Sequence, residues 1–330
     1  MGATIRDVAQ KAGVSISTVS RVLNDTCPVA SDKRVRVKKA ALELGYTPNP
    51  VARSLLSQET GGVGIILPFV SGEFFSEFLN GVDQAAQELD FFLLISTSHH
   101  SSDDLKKAMA GMYKRVDGLL VMAPHMTTEA VEALSPDTMP FVFVNTEVAS
   151  DGTHCVTFDN YGGMYAMTTH LVSQGHRRIA FVKGTENAYD AMERLRGHMQ
   201  ALQDTGIPVS KKLVFDGNYD QKAGFDAVEK ILKLEDRPTA VMASNDDCAI
   251  GVLSGLREAG IAIPSEMAVT GFDDVPSARY AVPPLSSVHV PVRQLGTAAI
   301  DLLVSRLNGD SAEAHLRTLP VELHIRESSL

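Results

Sequence analysis

The sequence predicts an α/β fold in which two open parallel α/β sheets form a two-lobed body behind a small helical head. Three observations carry this. From Val63 onward, apolar runs of strand length alternate with amphipathic stretches of helical period, the rhythm of parallel βα units. Ahead of that point no strand-like run occurs, and residues 4–24 read as two short helices around a tight turn. Charge divides at the same place: residues 1–60 hold nine Lys/Arg against five Asp/Glu, a net of +4, whereas the other 270 residues hold 21 against 35, a net of −14. A basic head on an acidic body points to a polyanion as the partner of the head alone.

In the head, Thr4 caps the first helix and Asp7 completes a capping box, with Ile5, Val8, Ala9 and Ala12 on one face. Gly13 stops that helix, Val14 plugs the turn, and Ser15 caps a second helix whose inner stripe is Ile16, Val19, Val22 and Leu23. Small Ala9 lets two helices approach, Gly13 permits a left-handed turn four residues on, and Val19 packs six residues later, which is the spacing of a helix-turn-helix. The other face carries Ser17, Ser20 and Arg21. Val35, Val37, Ala40, Ala41 and Leu44, in a third helix over 33–44, close the core. Asn49 before Pro50 then makes an N-cap with proline at the first helical position, opening a two-turn helix over 49–56 that needs a partner surface to be stable. A polar, glycine-ended linker over 57–62 places the head at 1–60 and the body at 61–330.

The body itself divides. Strands are expected at 63–67, 91–96, 118–122 and 141–144 with helices between, and a short extra strand at 155–158 leads out of this half. A second half starts at Asn160, with strands at 179–182, 213–215, 239–243 and 268–270 and a helix at about 192–205. The last segment, with a helix over 292–307 and a strand over 320–325, is surplus to both halves and is expected to cross back. The lobes are therefore placed at 61–159 with 291–318, and at 160–290 with 319–330, hinged about a cleft.

Composition removes several classes. No run of eighteen apolar residues occurs, and the amino terminus lacks a charged segment leading into an apolar one, so neither a membrane span nor a signal peptide is expected and the chain is placed in the cytoplasm. Cys27, Cys155 and Cys248 are far apart, match no metal spacing and are read as buried or idle thiols. His99-His100 lacks a third ligand and is read as solvated. Asn245-Asp246-Asp247 lacks the twelve-residue pattern of a cation loop. Gly62-Val63-Gly64 opens a strand, whereas a dinucleotide fingerprint joins a strand to a helix. With no nucleophile elbow, phosphate loop or metal set, no catalytic residue, cofactor or metal is expected.

The stretches Ile5-Arg-Asp-Val-Ala, Gly13-Val-Ser-Ile-Ser-Thr-Val-Ser-Arg-Val-Leu-Asn, Gly45-Tyr-Thr-Pro-Asn, Val51-Ala-Arg-Ser-Leu and Gly271-Phe-Asp-Asp together resemble the lactose-repressor (LacI/GalR-type) family of bacterial transcription regulators, and the resemblance covers the whole chain. It implies a periplasmic-binding-protein-like body, a homodimer, and double-stranded operator DNA and a small-molecule effector as partners, with no membrane and no enzymatic activity. Ile16, Ser17 and Arg21 match the family's base readers, Arg21 suiting a bidentate contact to guanine and Ile16 a thymine methyl. Thr4, Ser15, Thr18 and Asn24 carry hydroxyl or amide groups suited to phosphate. Leu55 matches the family's minor-groove wedge, and Ala52 must be small for two such helices to approach.

In the body, Phe74, Phe75, Asn145, Asp190, Arg194, Tyr219, Asn245, Asp246 and Asp273 follow strand ends and match positions where this family touches effectors. Asp246 equally suits a helix cap. Arg194, the one group there with several donors in a fixed fork, is expected to grip ligand hydroxyls or a carboxylate, with a surface ion pair to Asp190 one turn earlier as the alternative. Its removal is expected to leave folding and effector-free DNA binding nearly intact while largely abolishing the effector's influence. Amides, carboxylates, one guanidinium and aromatic planes describe a site for a polyhydroxylated ligand such as a sugar or sugar derivative, because vicinal hydroxyls need paired donors and acceptors. The same inventory suits a nucleobase or nucleoside. An enzyme on the α/β body and a solute-binding transport protein are the other classes; the missing catalytic motifs argue against the first, and the added head against the second.

Overall fold

The computed structural model describes residues 3–24, 28–47, 59–134, 139–147, 153–309 and 316–330, the side chain of Asn24 excepted. The chain forms two compact units, Met1–Thr60 and Gly61–Leu330.

The first unit holds α1 (Ile5–Ala12), α2 (Ile16–Asn24) and α3 (Ser31–Glu43). Asp7 N–H donates to Thr4 Oγ1 at 3.4 Å while Asp7 Oδ2 accepts from Thr4 N at 2.8 Å, so two orphan donors of the helix start are met reciprocally. Those bonds hold the Asp7 carboxyl below its ordinary range. Gly13 takes φ 63°, where a side chain would be strained, and lets the chain turn from α1 toward α2. Ser15 Oγ accepts from Thr18 N at 3.2 Å, capping α2. Val8, Ala9, Ala12, Val19, Val22, Val37, Ala40 and Ala41 form the core, with Ile5, Val14, Leu23 and Leu44 packed against it. Val35, an expected core position, is 66% exposed, and Ile16, read both as part of the inner stripe and as a base reader, is 46% exposed. Val35 precedes Val37 by two residues, which is more than half a turn from the Val37–Ala40–Ala41 stripe. The helix expected over 49–56, with Ala52 and Leu55, and Cys27 lie outside the described residues.

The second unit runs β1 (Gly62–Leu67), α4 (Glu73–Glu88), β2 (Phe92–Thr97), α5 (Ser102–Met112), β3 (Gly118–Val121), α6 (Thr128–Glu132), β4 (Phe141–Val144) and β5 (Cys155–Phe158). It continues through α7 (Asn160–Ser173), β6 (Ile179–Lys183), α8 (Tyr189–Asp204), β7 (Val214–Asp216), α9 (Gln221–Leu232), β8 (Ala240–Ala243), α10 (Asp246–Glu258), β9 (Ala268–Asp273), α11 (Pro276–Tyr280) and β10 (Ser286–His289). It ends with α12 (Val292–Leu307), β11 (Leu316–Leu319) and β12 (Glu322–His324). One sheet has the order β11-β5-β4-β3-β1-β2 and the other β12-β10-β9-β8-β6-β7. All pairings are parallel except β10 with β12. The strand order reverses beside β1 and β6 respectively, which opens a crevice at the strand carboxyl ends of each sheet.

The chain passes between lobes three times, at 158–160, 290–292 and 319–322. Three elements, β10, β11 and α11, have no counterpart in the sequence pattern. β11 is an edge strand whose Leu316, Arg317 and Thr318 are exposed, so no apolar alternation marks it. α11 spans five residues, too few for a helical period to register. The helix α8 begins at Tyr189 instead of about 192, which brings Asp190 into its first turn.

Helix pairs around the cleft pack backbone to backbone. A Cβ on Gly251 would lie 1.9 Å from Gln221 O, and one on Gly224 2.1 Å from Cys248 O, so α9 and α10 are locked in register by reciprocal close contacts. This lock fixes both helix starts at the cleft mouth. Cys155 and Cys248 are buried thiols, and burial pushes both up to about 12, which leaves them inert as nucleophiles.

Candidate ligand cleft and nucleic-acid interface

The carboxyl ends of both sheets open into a cleft of about 610 Å³ between the lobes. One wall is aromatic and belongs to the β1–α4 turn: Phe69 meets Phe75 edge-on at 4.7 Å, and Phe74 meets Phe75 at 5.4 Å and Phe158 at 6.2 Å. The two rims are tied across the opening, with Ser277 N donating to Glu73 Oε2 at 2.8 Å and Tyr189 N to Pro124 O at 2.8 Å.

The floor is a relay of polar groups from α7, α8, β9 and the ends of β4 and β8. Asn145, just past β4, accepts at Oδ1 from Asn160 Nδ2 at 2.9 Å, and Asn160 Oδ1 accepts from Arg194 Nε at 2.9 Å. Arg194 also donates from Nη1 to Ser244 O at 2.5 Å and faces Asp273 Oδ1 with Nη2 at 3.3 Å. Its guanidinium lies 3.9 Å from the Phe272 ring centroid, with Tyr219 at 5.6 Å and Phe158 at 5.8 Å. Arg194 and Asp273 are buried, their side chains 3% and 6% exposed. The surface pair between Asp190 and Arg194 is therefore replaced by a desolvated pair with Asp273, because α8 turns Arg194 inward onto β9. Burial outweighs the arginine and pushes the Asp273 carboxyl up to about 7. Burial likewise holds the Tyr219 hydroxyl well above its ordinary value, beside the Asp190 carboxylate.

Five cleft residues hold positive φ without being glycine: His100 at 55°, Asn145 at 48°, Asn218 at 48°, Tyr219 at 61° and Asp273 at 103°. Such strain persists only where the surroundings over-determine it, and it clusters where side chains must be aimed. Tyr219 owes its place to Gly184, where a Cβ would sit 2.1 Å from the phenol ring.

Of the body residues singled out in the sequence, Phe74, Phe75, Asn145, Asp190, Arg194, Tyr219, Asn245 and Asp273 line the cleft. Asn245 does so with its amide engaged: Oδ1 accepts from Cys248 N at 3.0 Å as the cap of α10, and Nδ2 donates to Tyr219 O at 3.2 Å. Asp246 does not reach the cleft. It is fully buried behind the floor, where Oδ1 accepts from Ser287 Oγ at 2.6 Å and Oδ2 from Val275 N at 2.8 Å, and burial keeps its pKa well above the carboxylate range. The residue facing the ligand space is Asp247, one position and about 100° further round the helix start, held by Gln221 Nε2 at 3.0 Å. Asn160 and His100 were also missed. His100 is no solvated side chain: it lines the cleft against Phe69 at 5.4 Å, and burial lowers its pKa.

On the first unit, Ile16, Ser17 and Arg21 are exposed on α2. Thr4 Oγ1 donates to Asp7 Oδ2 at 2.8 Å, and Ser15 Oγ sits 2.9 Å from Ser17 Oγ and 2.8 Å from Thr18 Oγ1, so these hydroxyls double as helix caps. The Asn24 side chain, Ala52 and Leu55 lie outside the described residues.

A helix-turn-helix with an exposed reading face, on a chain that also builds a two-lobed cleft ringed by polar groups, defines a ligand-responsive DNA-binding transcriptional regulator. The chain belongs to the lacI family of bacterial regulatory proteins, whose family model matches residues 4–49, while the model of a periplasmic binding protein-like domain matches 168–329. It is 33% identical over 331 residues to catabolite control protein A of Priestia megaterium, covering 100% of both chains. It is 31% identical over 329 residues to the transcriptional repressor PurR of Actinobacillus pleuropneumoniae serotype 3, covering 99% and 98%. Among solved structures, the lac repressor dimer bound to operator and the anti-inducer ONPF superposes with a TM-score of 0.90 at 28% identity over the full length of both chains. A complex of the regulator CelR with cellobiose gives 0.74 at 31% identity over 99% of each. Among the described residues no helix is long and apolar enough to cross a membrane.

Proposed function

We propose that this regulator is a cytoplasmic homodimeric repressor whose operator affinity is set by a polyhydroxylated small molecule, a sugar or sugar derivative, closing the cleft between its lobes. The observation that carries the reading is the cleft floor, where buried Asn145, Asp190, Arg194 and Asp273, with half-buried Asp247 at the rim, offer both donors and acceptors. The likeness to the CelR–cellobiose complex supports it. A nucleobase or nucleoside is the second reading, favoured by the aromatic wall of Phe69, Phe74 and Phe75 and by the likeness to PurR. Mass spectrometry of the small molecule carried by purified protein, followed by operator binding with and without it, separates the two. A ligand of either class that leaves operator affinity unchanged would remove the effector reading altogether.

The proposed hinge helix bears on the DNA side of this reading. With Leu55 as a wedge, Leu55→Ala is expected to weaken operator binding and reduce the bend. Unchanged affinity and unchanged curvature in a bending assay would sink the wedge.

The cleft also carries a pH signature. Ionised Asp273 accepts hydroxyls at two oxygens, and its pKa near 7 means that the accepting form is filled in as pH rises through neutrality. Effector affinity is expected to rise about tenfold from about pH 6 to about pH 8, with no such rise in Asp273→Asn. The stability linkage runs the other way. A carboxyl whose folded pKa is raised contributes stability that is full below the unfolded pKa and is lost as pH rises through about 7. Calorimetric titration of the identified effector across that range checks both variants, and a parent profile as flat as that of Asp273→Asn would refute the assignment.

A further inference from the structure

Beside the cleft, Asp274, His289 and His324 come together from the ends of β9, β10 and β12, residues separated by 15 and 50 positions in the chain. His289 Nδ1 lies 3.0 Å and His324 Nδ1 2.6 Å from the same oxygen, Asp274 Oδ2. The two imidazoles stack nearly parallel, with centroids 4.6 Å apart and planes 14° from each other. Strand register explains the convergence. His289 pairs with Glu322 and Ser287 with His324 in the antiparallel ladder, so His289 and His324 are diagonal neighbours on one face, while Asp273 pairs with His289 on the other side.

We propose that Asp274, His289 and His324 form a divalent transition-metal site of the zinc class. Two imidazole nitrogens and one carboxylate oxygen are the donor set Zn²⁺ takes with three protein ligands, leaving a fourth position for water. The three ligand atoms lie within 4.8 Å of one another. Both imidazoles are 39% exposed, so the site is reachable from solvent and the rings are free to close on an ion. Arg326 Nη1 holds the other carboxylate oxygen, Asp274 Oδ1, at 2.7 Å, and Asp274 N donates to Ser287 Oγ at 3.1 Å. These outer contacts leave Oδ2 as the oxygen turned toward the histidines, the orienting role that carboxylate partners play in metal sites. An ion here staples β9 and β10 to β12. β10 runs into one interlobe crossing at 290–292 and β12 follows another at 319–322, so the ion ties two crossings together next to Asp273 of the cleft.

The test uses full-length, tag-free protein stripped of metal with a chelator and titrated with Zn²⁺ alone, so it does not depend on the effector's identity. About one Zn²⁺ per chain is expected with micromolar or tighter affinity, and Co²⁺ is expected to give the intense visible bands of a tetrahedral site. His289→Gln and His324→Gln should each weaken Zn²⁺ binding at least about tenfold while keeping the metal-free melting temperature, since both side chains are half-exposed. No binding by the parent at about 100 μM Zn²⁺, or binding equally tight in both variants, overturns the site.

Discussion

Arg194→Ala is expected to abolish effector binding and to lower the unfolding free energy by about 3–5 kcal/mol, the scale for breaking a buried ion pair from one side. The effect follows from what Arg194 leaves behind. Asp273 would remain 6% exposed with no cation facing it, Asn160 Oδ1 and Ser244 O would each lose a donor, and the Phe272 ring would lose the guanidinium stacked 3.9 Å away. Because the lost cation lowers the Asp273 pKa, its removal raises that pKa further, so the destabilisation should be greater at about pH 8 than at about pH 6. Combining Arg194→Ala with Asp273→Asn removes the stranded charge and should recover part of the stability without recovering effector binding. Urea unfolding of the four proteins of this cycle is the measurement. A loss below about 1 kcal/mol with effector binding intact would place Arg194 outside the site, since exposed pairs contribute no more than that.

The contrast between Arg194 and its neighbours marks what the sequence makes legible. Caps and periods are local: Thr4 with Asp7, Gly13, and the buried strands such as 63–67 follow from residues within one turn or one strand of each other, and the structure places them as the pattern predicts. The sequence also brings eight of nine effector candidates to one cleft, because strand carboxyl ends share a side in a parallel sheet. What it hides is pairing over long separations. The partners of Arg194 stand 34, 50 and 79 residues away, so a pattern of i, i+4 neighbours offers only Asp190 as a protein partner. Asp246 and Asp247 differ by one position at a helix start, and only the packing of α10 on β9 and β10 decides which carboxylate is buried and which faces the ligand. The histidines at 289 and 324 carry no local metal spacing, since a strand crossing between lobes brings them together.

Operator affinity is expected to fall by about 10³-fold or more between roughly 50 and 200 mM salt. Each head carries a net charge of +4 and a dimer presents two, while the body at −14 per chain repels the phosphates, so the salt slope reports the heads. Some of the basic groups are already paired on the surface, Lys11 with Glu43 at 2.8 Å and Arg36 with Asp32 at 3.9 Å. Such exposed pairs are weak and yield to a phosphate without much loss. With six to ten phosphates neutralised, counterion release at about 0.9 per phosphate sets the expected drop. Arg21 separates charge from reading. It projects from α2 on the exposed face with Ile16 and Ser17, and as a guanine reader it should contribute about 1–3 kcal/mol of discrimination per half-site. Arg21→Ala should therefore relax sequence preference and leave the slope of log affinity against log salt nearly unchanged. Fluorescence anisotropy on operator and scrambled DNA across the salt series measures both quantities. A flat salt response contradicts the head as the phosphate-facing unit, and a shallower slope with preference intact in Arg21→Ala would make that arginine a phosphate contact.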